Sequence, residues 1–268
     1  MKEHQEYFDI NKDTWNTKVG IHAKSEFYGM EQFKAGSSSL NEYELEALGD
    51  VSGKSLLHLQ CHFGQDTLSW SRMGAHCTGV DLSNEGVNLA SELNEELGLN
   101  ANFVCCNVLD TAEHIKEQFD IVFTSYGVIG WLPDLKPWGE MIAKMLKPGG
   151  VFYLVEFHPL VWMFDYLQTT PVIRYPYDSF DPIYEEYEGT YADENSGMIS
   201  KEYGWNHGLG AITTALTDAG LQLSFLKEHN ASPYKIFPEL EPDDRGMFRL
   251  RSKLYPLIFE IKAEKGRS

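Results

Sequence analysis

A chain of 268 residues, 43% hydrophobic and 23% charged, can bury a core and form one large domain or two small ones. Its formal charge of −18, from 22 Lys and Arg against 40 Asp and Glu, counts against nucleic acid and anionic membranes, whose binding needs clustered Lys and Arg. No apolar run approaches the roughly 20 residues of a membrane helix, the N-terminal stretch lacks an apolar signal core, and four cysteines in no disulfide-scaffold spacing point to a reduced, cytoplasmic compartment.

Residues 1–50 are rich in aromatics and read as helical in part, ending in a segment with Leu40, Tyr43, Leu45 and Leu48. Leu56, Leu57 and Leu59 then form a buried strand. Gly64 turns the chain into a helix carrying Leu68, Trp70 and Met73, which Gly74 stops. A second strand runs from Cys77 to Val80, with Asp81 at its end. Ligands of open parallel sheets bind beyond the carboxyl ends of the strands, and an acid about 20 residues past a glycine turn suits a ribose diol. The G-x-G-x-x-G pattern is absent.

Ser83 predicts an N-cap for a helix over 84–97, with Val87, Ala90, Leu93 and Leu97 on one face. A third strand is predicted over 102–108. The apolar run FDIVFTS, 119–125, reads as a fourth strand covered on both faces. Trp138, Met141, Ile142, Met145 and Leu146 line the next helix; KPGG, 147–150, is predicted to stop it before a fifth strand over 151–157. After a gap come a helix with Ile212, Ala215, Leu216 and Ala219, a strand over 221–226, and a last strand over 254–263. Such alternation predicts an open parallel α/β sheet.

The gap, 160–205, holds seven tyrosines, nine acids and only two basic residues, Arg174 and Lys201; prolines 171, 176 and 182 interrupt it. A connection this long reads as a lid or binding loop over the active edge of the sheet. Its side chains read first as a solvated acidic face, and second as an aromatic cage for an ammonium group.

The order of these elements, together with FDIVFTSYGVIGW and LKPGGVFYLVEFHP, resembles the class I S-adenosylmethionine-dependent methyltransferases. The resemblance covers about 45–159 and resumes near Asn206; within it, the chain is similar to a subgroup whose first loop reads HLQCHFGQDT. It implies a Rossmann-like, mostly parallel sheet of seven strands with helices on both faces and the last strand antiparallel. It also implies one domain, with 1–44 as an N-terminal flap and 160–205 as an insertion. The implied reaction moves a methyl group from S-adenosylmethionine to an O, N or C atom of a small-molecule acceptor; separately, His58, Cys61 and His62 have no partner cluster in the sequence, so no metal is expected. Oligomeric state is not legible from these features.

Residue by residue, the resemblance places His58 where the family has an acid, and Gln60 and His62 where it has glycines; only Gly64 matches. It implies cofactor contacts from Tyr28, Gln60, Cys61, Gly64, Gln65, Asp81, Leu82, Asn107, Val108 and Ser125. It implies an acceptor pocket from Trp131, Glu156, Trp205 and His207, with His158 as the general base. Each has a plainer reading. Asp81 could cap a helix, Asn107 could form a turn, Trp131 could pack a loop, and His158 could belong to the turn before Pro159. Two other functions remain open: a nucleoside-binding regulatory protein without catalysis, and a nicotinamide-dependent oxidoreductase, which the missing phosphate-cradling glycines disfavour.

Overall fold

The apolar runs pair as one sheet. In the computed structural model, which describes residues 4–165 and 172–267, the strands are β1 (Ser55–Leu59), β2 (His76–Asp81), β3 (Asn102–Cys105), β4 (Phe119–Ser125) and β5 (Leu146–Phe157), followed after the insertion by β8 (Leu221–His229) and β9 (Ile258–Lys265). The insertion contributes an antiparallel hairpin, β6 (Ile183–Glu188) with β7 (Ile199–Gly204). The seven sheet strands lie in the order β8-β9-β5-β4-β1-β2-β3. β9 runs antiparallel to both of its neighbours, and β1 through β5 pair in parallel. The expected α/β class, strand count and single reversed strand are all present.

Helices cover both faces. They are α1 (Gln5–His22), α2 (Met30–Lys34), α3 (Glu42–Leu48), α4 (Gln65–Arg72), α5 (Asn84–Glu96), α6 (Thr111–His114), α7 (Leu135–Met145) and α8 (Leu209–Asp218). One core unites Trp138, Met141 and Ile142 of α7 with Ile212 and Leu216 of α8 and the strand residues beneath them. The other unites Leu68 and Trp70 of α4 with Phe33, Leu40, Leu48 and Leu93.

Some boundaries differ from expectation. KPGG does not precede β5 but forms its irregular first turn: Leu146 already pairs with Phe119, and the register shifts before Ile121 meets Val151. β3 is shorter than predicted, because Asn107 caps a 3-10 turn at Val108–Asp110. β9 begins at Ile258, four residues later than predicted. Pro171 lies outside the described residues.

The N-terminal helix departs most from a simple amphipathic pattern. Asn11, Thr14, Lys18 and His22, spaced three or four apart and hence on one face, are all buried. That polar face is bound by the insertion hairpin. Asn11 Nδ2 donates to the Tyr203 carbonyl at 2.8 Å, Tyr203 N–H donates to Asn11 Oδ1 at 2.9 Å, and Thr14 Oγ1 donates to the Lys201 carbonyl at 2.7 Å. Together, α1 and the hairpin form a cover over the carboxyl ends of β1 and β4.

Candidate functional site

The site begins at the loop after β1. Gln60, His62 and Gly64 have φ of 56°, 52° and 79°, all in the left-handed region, although only the last is glycine. The backbone therefore keeps a glycine-type path with two side chains added, at a cost of about 1 kcal/mol or more for each non-glycine residue. A Cβ on Gly64 would lie 2.7 Å from the Phe103 ring and 2.9 Å from Ala90. This close approach explains why glycine survives at that position.

The two added side chains have defined partners. Gln60 Nε2 donates to the Val128 carbonyl at 2.8 Å, tying the first loop to the segment after β4. His62 lies among Trp15, His22, Tyr28 and Phe63, with ring centroids 4.2–5.4 Å away. Its Nε2 is 3.0 Å from His22 Nδ1. Burial drives both imidazoles neutral: His22 falls to about 3, helped by the nearby Lys18 charge, and His62 falls well below its ordinary value. Gln60 Oε1, His22 Nε2 and His62 Nδ1 are buried with no hydrogen-bond partner.

Asp81 closes the other side. Its carboxylate accepts the His62 N–H at 2.7 Å and the Ser83 N–H at 2.8 Å, while Ser83 caps α5. Burial pushes Asp81 up to about 6 against the pull of those N–H groups. Cys61 is buried against Gly79, and burial raises its thiol well above the ordinary range. Leu82 follows Asp81, and its carbonyl accepts from the Cys105 thiol. Val108 is buried. Asn107 Oδ1 accepts the Leu109 N–H at 3.0 Å, so its carbonyl oxygen is already engaged in a turn.

The methionine-side residues expected from the sequence also converge. Gln65 Nε2 donates to the Tyr28 carbonyl at 2.9 Å, joining loop to N-terminal segment. Ser125 Oγ donates to Asp66 Oδ2 at 3.2 Å, and Ser39 Oγ donates to Asp66 Oδ1 at 2.6 Å. Burial raises Asp66 above the usual carboxylate range. A second carboxyl, Glu44, stands behind it. Glu44 is fully buried, accepts from Tyr126 Oη at 3.0 Å, and is pushed up to about 8 by burial and by Asp66. Sequence reading missed Asp66 and Glu44; the acid directly after Gln65 was the one available signal for the first.

The expected acceptor residues divide. Trp131 points into the cover: its indole N–H donates to the Gly127 carbonyl at 2.8 Å, and its ring meets Trp15 edge-on at 5.4 Å. Glu156 has its carboxylate engaged by the backbone. It is fully buried and accepts backbone N–H groups of Gly127, Val128, Ile129 and Phe157, which shapes the loop after β4. His158, the expected base, has both ring nitrogens engaged. Its Nδ1 accepts the Leu160 N–H at 3.1 Å and its Nε2 donates to Glu228 Oε1 at 2.8 Å, on the β8–β9 side. Burial, only partly opposed by Glu228, lowers it below the ordinary histidine value. Trp205 N–H donates to the Gly130 carbonyl at 2.7 Å, and His207 Nε2 donates to the Leu132 carbonyl at 2.7 Å. Both hold the 127–132 segment from outside. His58, expected in the acid position, stays inside the core with Nδ1 2.8 Å from Thr67 Oγ1.

The insertion does form an aromatic surround, and a residue of this chain fills it. Lys18 Nζ lies 4.9 Å from the Trp15 ring centroid, 5.7 Å from Tyr187, 5.9 Å from Tyr191 and 6.0 Å from Trp131. Glu202 pairs with the ammonium, and Tyr187 Oη donates to the other Glu202 oxygen at 3.0 Å. The solvated-face reading of this part of the insertion is thereby replaced. Among the described residues, no three His, Cys, Asp or Glu come together as a metal site.

Residues 57–154 match the family model of a methyltransferase domain. The chain is 32% identical over 112 residues to the ubiquinone biosynthesis O-methyltransferase of Photorhabdus laumondii, covering 41% of this chain and 46% of that protein. It is 28% identical over 143 residues to the Bordetella pertussis protein of the same name, covering 50% and 59%. The chain thus spans about half the length of these relatives. A Mesorhizobium loti S-adenosylmethionine-dependent methyltransferase superposes with a TM-score of 0.57 at 18% identity, over 87% of this chain and all of that one. A glycopeptide N-methyltransferase solved with sinefungin superposes with a TM-score of 0.55 at 15% identity, over 86% and 88%. The central segment is similar to a methyltransferase domain, and the fold is the one these solved S-adenosylmethionine-dependent enzymes share.

Proposed function

We propose that this protein is an S-adenosylmethionine-dependent methyltransferase acting on a small-molecule acceptor. The observation that carries the reading is the loop 60–64, which keeps a left-handed backbone at Gln60, His62 and Gly64 and delivers the His62 N–H to Asp81. A glycine-type path beside a strand-end acid is the arrangement a nucleoside cofactor needs. The donor set fits the cofactor. Asp81 has acceptor capacity beyond its two N–H bonds for ribose hydroxyls. Gln60 Oε1, buried and unpaired, is an acceptor for the methionine ammonium. Asn107, Leu82 and Val108 serve the adenine side; Tyr28, Cys61, Gly64, Gln65, Ser125 and Asp66 serve the methionine side.

When bound, the cofactor supplies a sulfonium methyl already activated toward in-line displacement. The chain's task is then to align the acceptor and keep out water. Trp15, Trp131, Tyr28 and the β6–β7 hairpin supply the apolar cover. Glu156 acts one step removed, by fixing the backbone of 127–129, and Trp205 and His207 support it. We place the function in the cytoplasm; among the described residues no helix is long and apolar enough to cross a membrane.

Isothermal titration tests the reading. S-adenosylmethionine and S-adenosylhomocysteine are expected to bind the wild-type protein, and Asp81→Ala to weaken both at least tenfold, the loss of about 1.4 kcal/mol or more. Wild-type protein that binds neither compound would overturn it.

A further inference from the structure

We propose that the box of Trp15, Trp131, Tyr187 and Tyr191, closed by Glu202, is the subsite for an alkylammonium group on the acceptor, and that Lys18 holds its place in the acceptor-free protein. The inference rests on the methyltransferase reading and narrows its substrate class.

The composition of the box is the first argument. A clasp between a helix and a hairpin needs one cation and one carboxylate, and burying that pair carries a desolvation penalty. Here four aromatic rings from three separate segments converge on the same ammonium. Faces of Trp and Tyr around a desolvated cation are the arrangement that selects alkylated ammonium groups. Lys18 is only 1% exposed, so the box already stabilises a cation away from water. Tyr187 also reaches the ammonium through its hydroxyl, at 3.3 Å from Nζ.

Position is the second argument. Trp15 touches His62 of the first loop, and Trp131 follows β4, so the box stands over the loops where a methyl donor and acceptor have to meet. The third argument is access. Tyr187, Tyr191 and Glu202 belong to the insertion rather than the core, and Tyr191 is 52% exposed. An incoming cation needs only to displace the Lys18 side chain outward. The nine acids and two bases of 160–205, within a chain of charge −18, draw cations toward this face.

The test uses wild-type protein and tetramethylammonium, which has no reactive nitrogen. Lys18 acetylation by an activated ester is followed by peptide mass spectrometry at constant ionic strength. Lys18 is expected to be protected in the free protein and to become modified ~10-fold faster as tetramethylammonium displaces it, with no response to neopentyl alcohol, a neutral analogue of similar size. Lys18→Met, checked for folding by thermal melting, is expected to bind tetramethylammonium ~10-fold more tightly than wild type, read by tryptophan fluorescence. Lys18 that stays protected at saturating tetramethylammonium, or responds equally to the alcohol, would overturn the inference, as would a folded Lys18→Met with no gain in affinity. None of these readouts requires the nucleoside. S-adenosylhomocysteine binding with an unresponsive box leaves the methyltransferase reading intact and removes only the subsite.

Discussion

Asp81 and Glu44 are both buried carboxyls, yet burial sets them opposite tasks. Asp81 receives two N–H bonds and burial pushes it up to about 6, so it is ionised at neutral pH, as its proposed role toward ribose hydroxyls requires. As pH falls below about 6 the protonated acid loses acceptor capacity. S-adenosylhomocysteine affinity is therefore expected to weaken up to about tenfold between pH 7 and pH 5, and Asp81→Asn to flatten that dependence. Titration calorimetry across the range checks it; an equally steep profile in the variant would remove Asp81 from the role. Glu44 runs the other way. Its folded value is about 8 against an ordinary 4.5, so the folded protein retains a proton that the unfolded chain releases. The stability this contributes is full below about pH 4.5 and is lost as pH rises toward 8. Glu44→Gln stays neutral throughout, and is expected to stabilise the protein by ~2 kcal/mol at pH 8 and by only tenths at pH 5. Urea unfolding at the two pH values measures this. The polar stripe of α1 is the residue-scale feature hydrophobic periodicity hid: a buried Lys looks exposed until the hairpin whose Glu202 pairs with it is in place.

At the scale of elements, the loop between β1 and α4 shows which sequence departures a fold tolerates. Gln60 and His62 accept left-handed backbone because their side chains point into space that rewards them, one with a hydrogen bond and one with ring contacts. Gly64 has no such space. With φ at 79° and ring atoms 2.7 Å from a would-be Cβ, Gly64→Ala is expected to cost at least ~2 kcal/mol, visible as a lowered thermal midpoint and lost cofactor binding. A variant as stable as wild type would show that the loop has another packing available. The first loop was legible as a loop, and Asp81 as a strand-end acid, because strand and turn signals are local. The places of His158 and Glu156 were not, because nearness to the end of β5 in sequence does not say which neighbouring strand a side chain faces. His158 faces β8 through Glu228, and Glu156 turns inward to four amides.

For the whole molecule, the dominant global quantity is the charge of −18. Self-repulsion of this size opposes the compact state, and salt relieves it. Raising ionic strength from about 0.01 M to about 0.15 M shortens the screening length from ~30 Å to ~8 Å, and the melting midpoint is expected to rise by ~2–4 °C in calorimetry. A midpoint that falls would mean that surface ion pairs, rather than net repulsion, govern stability. Ion pairs such as Lys34–Glu96, Lys147–Asp120, Lys201–Glu186 and Arg245–Glu42 are exposed and contribute little. Lys18 with Glu202 is buried, and it joins the first helix to the hairpin 184 residues away.

The sequence by itself determined the sheet, its strand–helix alternation, the reversed last strand expected from the family likeness, and the acid beyond β2. Periodicity, caps and turns act over a few residues, and the sheet follows from them with few topologies allowed. Only the tertiary structure decided that the insertion lies on α1, that its tyrosines and Trp131 surround Lys18, and that His158 pairs with Glu228. Those outcomes depend on which long-range partner satisfies each buried polar group, a choice made between segments far apart in the chain and therefore invisible to any local pattern.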